Sequence, residues 1–189
     1  MKRALVVSVM TVAVSWTLAA QTKIFVAISA VAAAGSITDG RYTNSYFKLT
    51  VDAPNATLEL NPVVNNKGQF ARLLQIESKP TSWENTYALA VLADALAINP
   101  QVQSPLQWVR SVRHKLEQGG LPTVQEEFPI TIAGEQFTGA ILQPQVNDRK
   151  IYRGIFAAFR NDYVLTFDVE AASPDRVKKL VTELVKKVN

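Results

Sequence analysis

Residues 150–188 read KIYRGIFAAFRNDYVLTFDVEAASPDRVKKLVTELVKKV, and this stretch decides the fold. Lys150 to Arg160 and Tyr163 to Val169 are strand-like runs, and Asn161-Asp162 between them has the length and chemistry of a hairpin turn. A helix follows. Ser173 is a good N-cap, and Pro174 suits the first helical position because its missing N–H would have had no partner there. Asp175 complements the positive helix end. Val177, Leu180, Val181, Leu184, Val185 and Val188 then recur as one helical stripe, with Lys178, Lys179, Lys186 and Lys187 mainly on the other side. Two strands joined by a two-residue turn pair antiparallel, and the amphipathic helix after them has to bury its stripe on a sheet.

The same punctuation recurs upstream. Ser104 caps, Pro105 starts and Gly119-Gly120 stops a second helix. Its predicted inner face is Trp108, Val109, Val112 and Leu116. Its predicted outer face is the basic stripe Arg110, Arg113, His114 and Lys115. Phe47–Val51, Ala56–Leu60, Ala71–Glu77, Val124–Phe128, Ile130–Ala133 and Gln136–Gln143 read as strands, with turn chemistry at Asn65 to Gly68. Tyr87–Ala93 has alanines that suit a helix, but Tyr87, Leu89 and Val91 alternate, so it reads as a strand. The expected class is α+β: a mainly antiparallel sheet with amphipathic helices packed on it.

The first forty residues have a different character. Lys2 and Arg3 precede the uncharged run Ala4–Ala20, which closes on Leu18-Ala19-Ala20 before polar Gln21-Thr22-Lys23. That is the pattern of an export signal cut near Ala20. A second apolar run, Ile24–Ala34, ends in three alanines, so the cut could fall as late as Ala34, or the first run could stay as an anchor. Its 17 residues span about 26 Å as a helix, short of the ~30 Å hydrocarbon core. The second run could equally be a buried N-terminal helix or strand. The expected organisation is a signal peptide at 1–20, an apolar segment or linker at 21–39 and one domain at 40–189.

Composition narrows the chemistry. The 189 residues include no cysteine and one histidine. Disulfides, thiolate metal sites and cysteine nucleophiles are thereby excluded, and zinc would want more than one histidine. Three of the 20 Lys+Arg (Lys2, Arg3 and Lys23) precede Gly35, and all 16 Asp+Glu follow it, leaving 17 − 16 = +1 on the rest. A near-neutral domain is a poor electrostatic partner for nucleic acid.

Residues 40–47, GRYTNSYF, resemble the opening of bacterial exported domains in the PsbP-like αβα-sandwich superfamily. Ile132 to Phe137 is similar to the small turn that these domains place before a long C-terminal hairpin, and the closing order of strand, Asn161-Asp162-Tyr163, strand and helix is similar too. The resemblance covers Gly40 to Val188. It departs at Pro54, which Asn55 follows where many relatives carry Trp. It implies an αβα sandwich that acts by binding. It carries no site residue over, and fold alone does not fix function.

No nucleophile elbow or phosphate loop is present. His114 sits beside Arg110, Arg113 and Lys115, which disfavour the imidazolium that a Ser–His mechanism needs. Glu126-Glu127, and Asp168 with Glu170, are candidate carboxylates for Ca²⁺ or Mg²⁺. Tyr42, Tyr46 and Phe47, and Tyr152, Phe156 and Phe159, are core candidates that an open sheet face would turn into a groove. The stripe Arg110, Arg113, His114 and Lys115 is the candidate binding surface. The expected function is an exported, periplasmic or secreted, non-enzymatic binding or envelope-assembly domain without a cofactor. Its expected partner is an unknown protein or a small anionic ligand, with no nucleic acid, and a membrane only if the signal is uncut. The alternatives are a carboxylate-based metal-dependent or hydrolytic envelope enzyme, and a domain tethered by an uncut N-terminal helix.

Overall fold

The computed structural model describes residues 27–60, 63–64, 70–79, 82–146 and 149–188. The run Ala4–Ala20, its cleavage site and the Asn65–Gly68 turn lie outside them. The fold is α+β with antiparallel pairing throughout, as the alternating strands and hairpin-length links predict. The main sheet has the order β4 (Ala56–Glu59), β6 (Phe70–Ser78), β7 (Tyr87–Ala95), β13 (Tyr163–Ala171), β12 (Tyr152–Arg160), β9 (Glu135–Leu142), β8 (Thr123–Ile132), with β5 (Val63–Val64) also on β6. A smaller sheet has the order β1 (Gly35–Thr38), β2 (Arg41–Asn44), β3 (Leu49–Asp52), β14 (Val185–Lys187). The short strands β10 (Gln145–Val146) and β11 (Arg149–Lys150) pair with each other.

The predicted hairpin lies at the centre. Arg160 pairs with Tyr163 across Asn161-Asp162, and Asn161 takes φ 51°, a conformation that asparagine tolerates better than most residues. Successive side chains point to opposite faces. Phe156 and Ala158 join one core with Phe167, Val177, Leu180 and Val181, and with Tyr42, Leu49 and Val51 of the small sheet. Ala157, with Ala140 and Val164, packs on the other side against Val109. The layers are therefore helix α2 (Pro105–Gln118), the main sheet, and then helix α3 (Pro174–Leu184) with the small sheet. Both predicted caps form: Ser104 Oγ accepts from Gln107 N, and Ser173 Oγ from Arg176 N, each at 3.2 Å.

Two expectations change. The C-terminal stripe was predicted to run to Val188 as helix. Instead α3 stops at Leu184, and Val185–Lys187 turns into β14 on β3. Val185 is buried, whereas Val188 is exposed. A β-branched residue packs in a strand as well as in a helix, and Lys187 on the same strand lies 3.5 Å from Glu135. Upstream, packed structure begins before Gly40. Residues 27–33 form a helix (α1) whose Ile28, Val31 and Ala32 are in the core. Asp39 and Gly40, with φ 52° and 71°, make the turn between β1 and β2.

That start explains the GRYTNSYF motif. Asn44 is fully buried; its Nδ2 donates to Val31 O at 3.2 Å and to the Tyr42 hydroxyl at 3.0 Å. Its Oδ1 accepts from Phe47 N at 3.1 Å. One amide thereby joins α1, β2 and the next turn. Burial pushes the Tyr42 phenol up to about 12, against the pull of the Asn44 bond. Among the described residues, no helix is long and apolar enough to cross a membrane.

Cleavage after Ala34 would remove the buried side chains of Ile28 and Val31, worth ~1.5–3 kcal/mol each, and one of the three hydrogen bonds of Asn44. A chain starting at Gln21 should therefore be more stable in urea by about 3–6 kcal/mol than one starting at Gly35. Equal midpoints would show α1 to be dispensable.

Candidate functional site

The predicted basic stripe is only partly a surface. Arg110, His114 and Lys115 are exposed, but the side chain of Arg113 is 9% exposed and faces the sheet. This corrects the outer-face assignment of Arg113, and β8 supplies the reason. Arg113 Nε donates to Glu127 at 2.9 Å and Nη1 to Glu117 at 2.7 Å. Thr123 donates to Glu117, Arg110 lies 3.6 Å from Glu127, and His114 Nδ1 lies 3.0 Å from Glu117. Arg113 belongs to the clamp that holds α2 on β8, and the same two carboxylates also pair with Arg110 and His114.

The carboxylates respond to that setting. Burial works to raise Glu127, but the Arg113 bond, a backbone bond and the charges of Arg113 and Arg110 outweigh it and leave the group low. Glu117 is also held low, chiefly by the Thr123 hydroxyl, with His114 and Arg113 assisting. Asp94 behaves oppositely. It is half-buried on β7, and burial pushes it up to about 7, with Lys115 opposing.

The other predicted carboxylates are placed just as firmly. Asp168 and Glu170 do share a face, and Arg153 lies across from them. Arg153 donates twice to Asp168, at 2.8 and 2.5 Å, but approaches Glu170 only to 4.0 Å. Asp168 on β13 and Glu127 on β8 are three strand spacings apart, about 14 Å. They do not converge on one substrate. Glu126, beside Glu127, is exposed. Among the described residues no group of three acidic or histidine side chains is arranged to hold a metal.

Most predicted aromatics pack. Tyr46, Phe47 and Tyr163 meet edge to face at 5.0 to 6.1 Å, and Phe156 meets Phe128 at 6.2 Å. Tyr152 and Phe159 are half-buried at the margins of the two cores.

A cavity of about 220 Å³ opens at the end of the main sheet where β7 begins and β13 ends. Trp83, in a 3₁₀ turn over Trp83–Asn85, and Tyr87 supply its aromatic wall, with Ala88, Ile151 and Ala171 adding apolar surface. Glu77 and Glu170 line it as well. Glu77 pairs with Ala88, and Ala88 pairs with Glu170, so the two carboxylates flank Ala88 in one row across three strands. Trp83, Glu77 and Ser78 were not singled out from the sequence. The available signal was a tryptophan stranded in the polar stretch between Lys79 and Asn85. At the opposite sheet end, a larger depression of about 600 Å³ borders Ala27, the first described residue.

No family model matches the chain, and no curated protein does. A crystal structure of a Bacteroides thetaiotaomicron VPI-5482 protein aligns over 80% of this chain and 49% of that one, at 6% identity and a TM-score of 0.43. The chain thus spans about half the length of that structure.

Two outcomes follow for stability. Glu127→Gln or Arg113→Ala should cost about 2–3 kcal/mol, below the ~3–5 of a fully desolvated pair because α2 lies at the surface. Arg113→Met with Glu127→Leu should recover most of it in urea melts. The low Glu127 and Glu117 contribute stability that is present at neutral pH and lost as pH falls below the ordinary carboxylate range. Asp94 has the opposite sign: its folded pKa is raised, so stability falls as pH rises from about 4 through 7. Asp94→Asn should then stabilise by roughly 1–3 kcal/mol at pH 8 and change little below pH 4. A pH-independent effect would contradict the assignment.

Proposed function

We propose that this chain is an exported, non-enzymatic binding domain on a PsbP-like scaffold, and that its ligand sits in the Trp83 cavity. The observation that carries this reading is the cavity: apolar and aromatic walls with the polar side chains of Glu77, Ser78, Thr86 and Glu170 at a sheet end, the usual make-up of a small-ligand site. Its volume is below the ~300–1,000 Å³ of drug-sized pockets, so it suits a small molecule or one side chain of a partner. Export rests on Lys2 and Arg3 ahead of Ala4–Ala20. The packed helix α1 favours a cut upstream of Ile28, near Ala20, over one at Ala34. The PsbP-like reading rests on GRYTNSYF, on the turn before β9 and on the closing hairpin and helix.

A carboxylate enzyme is the weaker reading, because Glu127 and Asp168 are each engaged by an arginine and stand far apart. The exposed cations of α2 are a weaker anion site than the sequence suggests, because Glu117 and Glu127 already compensate Arg110, Arg113 and His114.

Thermal unfolding of the full chain against metals, lipids, glycans, nucleotides and amines tests the site. A ligand at ~100 times its dissociation constant adds about 2.7 kcal/mol to stability. Ala88→Trp, which fills the cavity floor, should abolish that gain, whereas Arg110→Ala with Lys115→Ala should leave it intact. A gain that survives Ala88→Trp and vanishes with the α2 changes would place the site on α2 and contradict the proposal.

A further inference from the structure

We propose that the Trp83 cavity takes an organic cation, an alkylammonium or guanidinium group, held between the indole and the carboxylates of Glu77 and Glu170. The inference rests on the cavity being the binding site and adds the chemistry of what enters it.

Its charge is the first reason. Among the described residues its lining holds two carboxylates, Glu77 and Glu170, and no cationic side chain. Two arginines, Arg153 and Arg176, lie near the space without lining it. Arg153 gives both of its short bonds to Asp168 and leaves Glu170 at 4.0 Å with its side chain 44% exposed. The charge of Arg176 on α3 is felt by the Tyr87 phenol, but Arg176 is not among the lining residues. Glu77 is exposed and has no ion pair among the described residues. Among the described residues Glu170 has only the long pairing with its cross-strand neighbour Arg153, which is shared with Asp168, so the two carboxylates that flank Ala88 are incompletely compensated and favour a positive guest.

The aromatic wall is the second reason. Tryptophan offers the best face for a cation, and the attraction grows when the guest leaves water. A purely apolar guest would leave two carboxylates losing hydration for no return. An anion would meet their repulsion directly. Size agrees, because about 220 Å³ holds the head of an amine and a few carbons. The same group can arrive as a free amine or as a lysine or arginine of a protein partner.

The test uses the full chain with Trp16 and Trp108 replaced by Phe, so that emission reports on Trp83. Choline, agmatine, cadaverine, the neutral isostere 3,3-dimethylbutanol and a hexapeptide with one central lysine are titrated, with calorimetry in parallel. At least one cation should saturate the emission change and bind roughly tenfold or more tightly than the neutral isostere. Glu77→Gln with Glu170→Gln should weaken it at least tenfold without moving the melting temperature, and added salt should weaken it further. A peptide that binds tenfold more tightly than the free amines assigns the cation to a protein partner, and the reverse assigns it to a small molecule. Equal binding of the neutral isostere, an unchanged double variant, or no binding by any cation overturns the inference. Ala88→Trp separates that failure from failure of the cavity: a ligand of any charge that this change displaces still occupies the site.

Discussion

The structure depends on β12 and β13 being buried on both faces. A strand with a layer on each side cannot keep the simple alternation of apolar and polar residues. IYRGIFAAF and YVLTFDV are accordingly apolar at nearly every step. The constraint is tightest at Gly154, where a Cβ would lie 2.3 Å from Val177 Cγ1 of α3 and 2.7 Å from the Phe156 ring. Only a residue without a side chain lets α3 settle there, and the chain then continues into β14 and closes the small sheet. Phe156 and Ala157, one step apart, face the two different cores. The hairpin is thus the wall between the two halves of the molecule.

The two outer layers are held by different forces. The layer of α3 and the small sheet buries Tyr42, Leu49, Val51, Val177, Leu180 and Val181 in one continuous apolar cluster. Helix α2 offers that kind of contact mainly through Val109 and Trp108, and adds the buried ion pair of Arg113 with Glu127. A buried ion pair is a weak source of net stability, but it punishes misplacement because either charge left alone is costly. Its effect here is to fix where α2 lies. The titration of Glu127 and Asp94, of opposite sign, both belong to this layer.

Legibility in the sequence follows from the same physics. The hairpin, both capped helices and the antiparallel α+β class were readable because period, capping and turn residues are local signals. Tyr87–Ala93 was readable as a strand because its alternation outweighs its alanine content, and the observed strand runs on to Ala95. Arg113 was misplaced because helical spacing cannot reveal an acidic partner on a strand fourteen residues later. Val185 was misplaced because one valine fits a helical stripe and a strand equally well, and pairing with β3 is a long-range choice. The helix at 27–33 looked like leader or linker, since an apolar, alanine-rich run reads alike when it is exported, inserted or buried. The cavity was invisible because Glu77, Ala88 and Glu170 meet only through strand register.

The account separates a surface that holds the fold, on α2, from the cavity at the Trp83 end of the sheet. An amide chemical-shift map of the full chain with a saturating small amine measures that separation most directly. The account predicts shifts at the Trp83 indole and at Ala88, Glu170 and Ala172, with residues 107–118 unmoved. Shifts confined to Arg110, His114 and Lys115, with the Trp83 indole unmoved, would contradict it.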